Sequence, residues 1–198
     1  FKLKEIDEKY NLITENSNIL DLGSAPGGWS QYAAKKHKII KITAIDILHM
    51  ESIHNVNFVQ SDIEEFSENY LKNKNFDKID LVMSDIAPNI SGIDSADVPA
   101  MLNLADIVVE VAISTLRESG SLLVKLFQGK GTDEYMKDMR IYFDKVRVIK
   151  PKASRSNSRE IYMLATGLKS KSTIQGQWYE WYVKKYVSLD SYSGSYYV

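Results

Sequence analysis

The stretch Asp21-Leu22-Gly23-Ser24-Ala25-Pro26-Gly27-Gly28-Trp29 decides the fold of this chain. The residues before it, 18–20, predict a short strand, and residues 30–36 after it predict a helix. A strand, a glycine-rich turn and a helix in this order form the first unit of a doubly wound α/β sheet, where ligands bind at the carboxyl ends of the strands. The stretch therefore predicts a Rossmann-like fold with a ligand site at this turn.

The turn differs from the dinucleotide-binding pattern G-x-G-x-x-G, which needs a second glycine where a pyrophosphate touches the backbone. Ala25 stands in that place, so a nicotinamide cofactor is disfavoured. Asp46 follows the apolar residues 42–45 about 20 positions later, where a carboxylate can bond a ribose hydroxyl. An adenosyl group without phosphates fits both features, so we expect S-adenosylmethionine as the cofactor. In the alternative interpretation, the glycines serve only a tight turn and Asp46 only ends a strand.

The composition limits the classes of function. The 198 residues fit one domain, and 44% hydrophobic with 26% charged residues is typical of a globular protein with a buried core. With a formal net charge of −1, any surface for nucleic acid must be a local cluster. Cysteine is absent, which excludes disulfides, thiolate zinc sites and the cysteine nucleophile of carbon-5 pyrimidine methylation. His37, His49 and His54 lack ligand spacing, so we expect no metal site.

The cellular setting is predicted only coarsely. No run is long or apolar enough for us to expect a membrane span. The chain starts at Phe1, so we expect a fragment whose targeting segment would lie out of view. We expect an intracellular protein and leave cytoplasm, nucleus and mitochondrion open.

Strand and helix patterns alternate along the chain. Strands are predicted at 42–47, 56–60, 79–84 and 122–127, with helices at 1–10, 64–72, 101–117 and 132–143. Gly120 is expected to end the third of these helices and Thr132 to open the fourth. Residues 145–149 and 161–166 lack an intervening helix, so they should pair as an antiparallel hairpin at a sheet edge. The predicted fold is a three-layer α/β sandwich with a mostly parallel, seven-stranded sheet.

Two strands carry charged groups in unusual places. Asp85 follows the apolar residues 81–83 and Ser84, so it lies at the carboxyl end of a buried strand. Lys125 interrupts the apolar run 122–127. Burying an ammonium without a partner costs several kcal/mol, so Lys125 should face a polar cleft or pair with a carboxylate, and Asp85 is the candidate. The alternative is a surface strand whose lysine points to water.

Five motifs together resemble the FtsJ/RrmJ family of RNA ribose 2′-O-methyltransferases. They are Phe1-Lys2-Leu3, the stretch 21–31, Met83-Ser84-Asp85-Ile86-Ala87-Pro88-Asn89, Val124-Lys125-Leu126-Phe127-Gln128-Gly129 and Ser158-Arg159-Glu160-Ile161-Tyr162. The resemblance implies a catalytic tetrad at Lys2, Asp85, Lys125 and Glu160. It implies cofactor contacts at Gly23, Ser24, Pro26, Gly27, Gly28, Trp29, Asp46, Asp62 and Asp85. It covers residues 1–169, the methyltransferase domain, and leaves 170–198 as an aromatic-rich extension whose role is unknown.

The finer features resemble the branch of the family that acts on ribosomal RNA. Gly23, Gly28 and the segment 127–135 favour large-subunit ribosomal RNA over the tRNA anticodon loop. We therefore expect methylation of a uridine in that RNA. The alternatives are a 2′-O-methyltransferase for tRNA or the mRNA cap, and a non-catalytic subunit that binds RNA or a partner.

The tetrad suggests two chemical versions. A ribose hydroxyl is too weakly acidic to ionise alone at neutral pH, so a positioned base is wanted. In the version favoured from sequence, Lys125 is that base in its neutral form. Asp85 and Glu160 position Lys125 and the ribose hydroxyl, and the charge of Lys2 adjusts the electrostatic field around them. In the competing version, Lys125 stays charged and only orients the oxygen.

A basic loop lies next to Glu160 in the sequence. Lys145 and Arg147 precede it, and Lys150, Lys152, Arg155 and Arg159 are the residues that we expect to bind RNA phosphates. A solvated loop is the plainer interpretation. We expect the protein to act as a monomer on RNA, away from membranes.

Overall fold

The computed structural model describes residues 1–72, 78–155 and 157–175. Most of the aromatic extension, from residue 176 onward, lies outside the described residues. The helices are α1 (Lys2–Tyr10), α2 (Gly28–Lys36), α3 (Ile63–Lys72), α4 (Asp94–Thr115) and α5 (Thr132–Asp138), followed by a 3₁₀ turn at Met139–Ile141. The strands are β1 (Asn18–Leu22), β2 (Lys41–Asp46), β3 (Val56–Gln60), β4 (Ile79–Ser84), β5 (Leu116–Phe127), β6 (Phe143–Ile149) and β7 (Glu160–Leu168).

The strands form a seven-stranded sheet in the order β3-β2-β1-β4-β5-β7-β6. The first five strands along the chain pair in parallel, and β7 is antiparallel to both β5 and β6. The predicted mostly parallel sheet with an antiparallel hairpin is therefore confirmed. β7 lies inside the sheet, between β5 and β6, because it is apolar on both faces. β6 exposes Lys145 and Arg147 and therefore suits the edge of the sheet.

Helices cover both faces of the sheet, which confirms the three layers. On one face α3, α4 and α5 pack on a cluster that includes Val108, Leu122 and Val124. On the other face α1 and α2 contribute to a cluster that includes Leu3 and Leu123. Because side chains alternate along a strand, Lys125 lies on the same face of β5 as Leu123, toward α1.

Two predicted helices have different bounds in the structure. The helix expected at 101–117 begins at Asp94 and ends at Thr115, and the chain is already extended from Leu116, so Gly120 does not end it. The early start follows from Asp97, whose carboxylate accepts hydrogen bonds from the preceding loop and holds the first turn in place. The helix expected at 132–143 ends at Asp138. Thr132 starts this helix without capping it, since its hydroxyl donates to the main-chain oxygen of Phe127.

The helix α4 is long and apolar enough, by length and composition, to cross a membrane, so the sequence expectation of no such run is wrong. Many of its apolar residues, among them Ala105, Val108 and Ala112, are buried in the core cluster under the sheet. Core packing accounts for the composition of this helix.

Candidate active site

The sheet brings the four predicted tetrad residues to one place. Asp85 directly follows β4, and Lys125 lies near the carboxyl end of the neighbouring β5. Because β7 is antiparallel to β5, its first residue, Glu160, pairs with Phe127 and so reaches the same end of the sheet. Lys2 joins them from the first turn of α1, which packs on this face.

The four charged groups form two pairs. Lys2 Nζ lies 2.5 Å from Glu160 Oε1, and Lys125 Nζ lies 3.3 Å from Asp85 Oδ1. The Lys125 ammonium also donates to the main-chain oxygen of Asp85. Lys125 is only 8% exposed, so the predicted pairing with Asp85 is confirmed and the alternative of a water-facing lysine is wrong.

Tyr162 connects the two pairs, although sequence analysis assigned it no role. Its hydroxyl lies 2.7 Å from Asp85 Oδ1 and 3.1 Å from Glu160 Oε1. Burial, the charge of Asp85 and that of Glu160 raise the pKa of Tyr162, so the hydroxyl keeps the proton that it donates. The signal was present, because residues 160 and 162 must face the same side of a strand.

Glu160 is ionised at neutral pH. Burial raises its pKa, but the hydrogen bond and charge of Lys2, the charge of Lys125 and the hydrogen bond from Tyr162 together outweigh burial and bring the pKa below 4.5. The site thus holds a carboxylate that stays charged beside a buried lysine.

The glycine-rich turn lies beside this cluster, at the end of β1. Gly23 has φ +71°, and a Cβ there would lie 2.7 Å from Cβ of Ile86, the residue after Asp85. Gly27 has φ +101° and precedes the first residue of α2, Gly28, whose Cβ would meet only open space. Side chains therefore pack directly against the backbone at Gly23 and Gly27, and Gly28 faces open space at the start of α2.

A cavity of about 200 Å³ opens next to this turn. Its lining residues are Gly23, Asp46, Ile47, Asp62, Ile63, Glu64, Ile86, Leu104 and Ile107. Asp46 accepts hydrogen bonds from the main-chain N–H groups of Ala25 (2.9 Å) and Leu48 (2.8 Å), which fix its carboxylate at the cavity wall. Asp62 is fixed in a similar way by the N–H of Glu64 at the start of α3.

The cavity and turn offer the groups that S-adenosylmethionine needs. Asp46 and Asp62 supply acceptors for a ribose diol and an amino group, and apolar side chains between them suit an adenine ring. The Ser24 hydroxyl is buried and has no hydrogen-bond partner among the described residues. The N-terminus of α2 favours a negative group such as the methionine carboxylate. Pro26 lies in this turn. The ring centres of Trp29 and Tyr162 lie 5.7 Å apart, and the two rings are tilted relative to each other.

Asp21 is a further buried acid at the end of β1. Its carboxylate accepts a hydrogen bond of 2.6 Å from the Ser30 hydroxyl. Burial, helped by the charges of Asp85 and Asp46, raises the pKa of Asp21 to about 7. Sequence reasoning used Asp21 only as part of the turn and missed this shift, which depends on complete burial.

The predicted RNA-binding residues fall into two groups. Arg155 is exposed, and Lys150 is exposed while its ammonium donates to the main-chain oxygens of Ser158 and Glu160. Lys152 is exposed and its main-chain N–H is held by Glu5. Their role in RNA binding stays a prediction.

Arg159 forms ion pairs with two carboxylates of α4. Its guanidinium lies 2.5 Å from Asp94 Oδ1 and 3.3 Å from Asp97 Oδ2. Asp97, only 2% exposed, also accepts hydrogen bonds from Ser91 and from the N–H of Gly92. Arg159, the residue before Glu160, therefore connects the start of β7 to the first turn of α4. An RNA phosphate would have to compete with two carboxylates for its guanidinium.

Metal ligands were not expected from sequence. Within residues 1–72, 78–155 and 157–175, no group of three or more His, Asp or Glu side chains is arranged to hold a metal ion. His37 instead lies 3.1 Å from the main-chain oxygen of Ile13.

Residues 1–168 match the sequence profile of the FtsJ-like methyltransferases. The chain belongs to this family. An FtsJ-like methyltransferase works with S-adenosylmethionine, for which the cavity and turn are suited. The matched segment contains all four tetrad residues and the whole sheet.

Related proteins extend the comparison. The chain is 43% identical over 178 residues to ribosomal RNA large subunit methyltransferase E of Pseudomonas fluorescens, covering 87% of this chain and 84% of that protein. A crystal structure from Plasmodium falciparum, described as a ribosomal RNA methyltransferase, aligns with a TM-score of 0.77 at 28% identity, over 86% of this chain and 96% of that one. Human methyltransferase-like protein 13, solved with S-adenosylhomocysteine, shares the fold at 10% identity, with a TM-score of 0.63 over 88% of this chain and 84% of that one.

Proposed function

We propose that this FtsJ-like methyltransferase methylates the ribose 2′-hydroxyl of RNA, and that its substrate is a uridine of large-subunit ribosomal RNA. The observation that carries the proposal is the cluster in which Tyr162 joins the pair Lys2–Glu160 to the pair Lys125–Asp85. This cluster lies next to the glycine turn, where the cofactor residues begin.

Lys125 orients the substrate oxygen. An ammonium has three N–H donors, and Lys125 directs two of them at the carboxylate and the main-chain oxygen of Asp85. The third N–H is left for the ribose oxygen, whose other lone pair then faces the methyl group. These contacts hold the Lys125 amine in one place, so they support the orienting version over the general-base version preferred from sequence.

Glu160 receives the proton. The hydroxyl becomes strongly acidic as its oxygen gains the methyl group, so an ionised carboxylate is a sufficient acceptor. Lys2 and Lys125 keep Glu160 ionised, and Tyr162 fixes its orientation. When bound, S-adenosylmethionine supplies a methyl group on a positively charged sulfur that leaves as a neutral thioether.

Ribosomal RNA is supported by the relatives. The Pseudomonas fluorescens protein, 43% identical, carries the name ribosomal RNA large subunit methyltransferase E. All four tetrad side chains come from one chain, which supports a monomer as the catalytic unit. The buried apolar side of α4 is consistent with a protein that works on RNA away from membranes.

Methyl transfer to purified RNAs tests the function. The protein is incubated with labelled S-adenosylmethionine and large-subunit ribosomal RNA, tRNA or capped mRNA, and the labelled nucleosides are then separated. We expect label as 2′-O-methyluridine from ribosomal RNA, and none when the target nucleotide lacks its 2′-hydroxyl. Label on a base, or on tRNA or caps alone, contradicts the proposal.

A further inference from the structure

A groove runs between α1 and the edge strand β6, outside the reaction centre. It encloses a cavity of about 130 Å³. Its lining residues are Glu5, Ile6, Lys9, Tyr10, Val148, Ile149 and Lys150. Since β6 ends the order of the sheet, the groove opens to solvent, and Val148 on its wall is 53% exposed.

Cations surround an aromatic ring at this groove. Lys9 Nζ lies 5.3 Å and Arg147 Cζ 5.9 Å from the centre of the Tyr10 ring. Lys9, Arg147 and Lys150 are all exposed, so each keeps donors for a bound anion. A guanidinium plane above an aromatic ring also offers a surface on which a nucleobase can stack.

Glu5, the acidic residue that lines the groove, is already hydrogen-bonded. Glu5 accepts hydrogen bonds from the main-chain N–H groups of Lys152 (2.8 Å) and Ala153 (3.1 Å), and these bonds lower its pKa. Glu8, on the same helix, lies 3.7 Å from Lys4 and is not among the lining residues. The groove is therefore electropositive, and Glu5 holds the start of the basic loop against α1.

The groove continues from the reaction centre. Lys150 lines it, and the same ammonium donates at 2.6 Å to the main-chain oxygen of Glu160. Lys2, Ile6 and Lys9 lie at i, i+4 and i+7 on α1 and so share one face of the helix. At 1.5 Å per residue, Lys2 and Lys9 are about 10 Å apart along the helix axis.

We propose that this groove binds the single-stranded RNA next to the methylated nucleotide. Phosphates contact Lys9, Arg147 and the remaining N–H of Lys150, and one base stacks on Arg147 above Tyr10. This assignment rests on RNA being the substrate. It adds α1 and the edge of β6 to the RNA surface and makes Lys2 the point where that surface meets the tetrad.

The test compares two double variants of the full chain. Lys9→Ala with Arg147→Ala removes two groove cations, and Lys4→Ala with Lys35→Ala removes two exposed cations elsewhere. Binding of a fluorescent 12-nucleotide uridine RNA is followed by anisotropy from 50 to 300 mM KCl. The groove variant should lose affinity, and its slope of log K against log salt should flatten by about 1.4. The control variant should keep the slope of the unaltered protein.

Three further measurements make the result decisive. Calorimetry with S-adenosylmethionine should give unchanged affinity in the groove variant, which shows that the variant is folded. If Arg147→Ala disturbs packing, Lys9→Glu alone should reproduce the loss of RNA affinity. Crosslinking of a 4-thiouridine RNA should mark Tyr10 or the segment 144–150. If the unaltered protein methylates ribose but both double variants keep its slope, the groove assignment is wrong while the function stands. If the unaltered protein transfers no methyl group to RNA, the proposed function and the groove assignment both fail.

Discussion

A single lysine in an apolar strand carries much of the proposed chemistry. The strand pattern around Lys125 required a partner for a buried charge, and Asp85 supplies it. Pairing across the sheet places Tyr162 opposite Lys125, which completes the contact to Glu160. The position of this one side chain thus links both pairs of the tetrad.

Replacing Lys125 separates orientation from proton transfer. Lys125→Ala should lower the single-turnover rate of ribose methylation by about 10²-fold or more, because the substrate oxygen loses the donor that orients it. Lys125→Arg, which keeps the charge and cannot act as a base, should retain a measurable fraction of that rate. Affinity for S-adenosylmethionine, measured by calorimetry, should change little in both. Equal loss of rate in the two variants would return Lys125 to the role of general base.

The pH profile tests Glu160. Its lowered pKa means that the carboxylate is ionised throughout the range above pH 4.5, so the single-turnover rate should be level from pH 6 to 9. The stability that its ion pair contributes is likewise present above pH 4.5 and is lost as pH falls through the lowered pKa. A rate that rises with pH across the neutral range would instead indicate a neutral amine as the base.

Asp21 should make stability depend on pH in the opposite direction. Its pKa of about 7 in the folded protein exceeds the ordinary value of 3.8, so the folded protein holds a proton that the unfolded chain releases. Unfolding free energy should therefore fall by up to about 1.4 kcal/mol per pH unit between pH 4 and 7. In urea titrations, Asp21→Asn should flatten this slope and leave stability at pH 4 nearly unchanged. An identical slope in the variant would show that other groups control it.

At the scale of elements, the loop before α4 is held from two sides. Asp97 accepts a hydrogen bond from the main-chain N–H of Gly92 in this loop. Arg159, which directly precedes β7, forms an ion pair with the same carboxylate. Gly129 lets α4 come close, since a Cβ there would lie 2.7 Å from Val98. The loop that follows Asp85 is thereby fixed relative to Glu160.

Arg159 and Arg155 should respond differently to replacement. Arg159→Ala should lower kcat by about 10- to 100-fold, because small displacements of catalytic groups are costly, and should leave the salt dependence of RNA binding unchanged. Arg155→Ala, at an exposed position, should flatten that dependence by about 0.7 and leave kcat unchanged. Filter binding with single-turnover rates measures both. A flattened slope in Arg159→Ala would show that its guanidinium binds phosphate after all.

The sequence predicted most elements because their signals are local. The glycine turn, β3 and β4 are found where the patterns placed them. The start of α4 was missed because it depends on Asp97 binding a loop, and the inner position of β7 could be inferred only by comparing its apolar pattern with the charged pattern of β6. Tyr162 was overlooked because its partner Asp85 lies far away in sequence, and the ion pairs of Arg159 were not foreseen because Asp94 and Asp97 are equally distant.

At the scale of the whole molecule, the cofactor should act as a stabilising ligand. S-adenosylmethionine at 100 times its dissociation constant should raise the unfolding free energy by about 2.7 kcal/mol, because the cavity and turn exist only in the folded sheet. Thermal unfolding should show this shift, and NAD at the same concentration should not produce it. Asp46→Ala should weaken binding by about 1.5–3 kcal/mol through the loss of hydrogen bonds to a charged acceptor. A larger shift with NAD would contradict the cofactor assignment.

The ion pair between Lys2 and Glu160 has a consequence for synthesis on the ribosome. Nearly all of the family-matched segment lies between these two residues, and Glu160 begins the last strand of the sheet. The N-terminal part of a chain leaves the ribosome first and can begin to fold, whereas pairings between segments distant in sequence form late. A nascent chain that ends before β7 therefore has α1, the glycine-rich turn and Lys125, but lacks Glu160, the proposed proton acceptor, and Tyr162. If Glu160 receives the proton as proposed, methyl transfer requires β7 to have docked, so a chain that stops before β7 leaves the RNA around it unmodified.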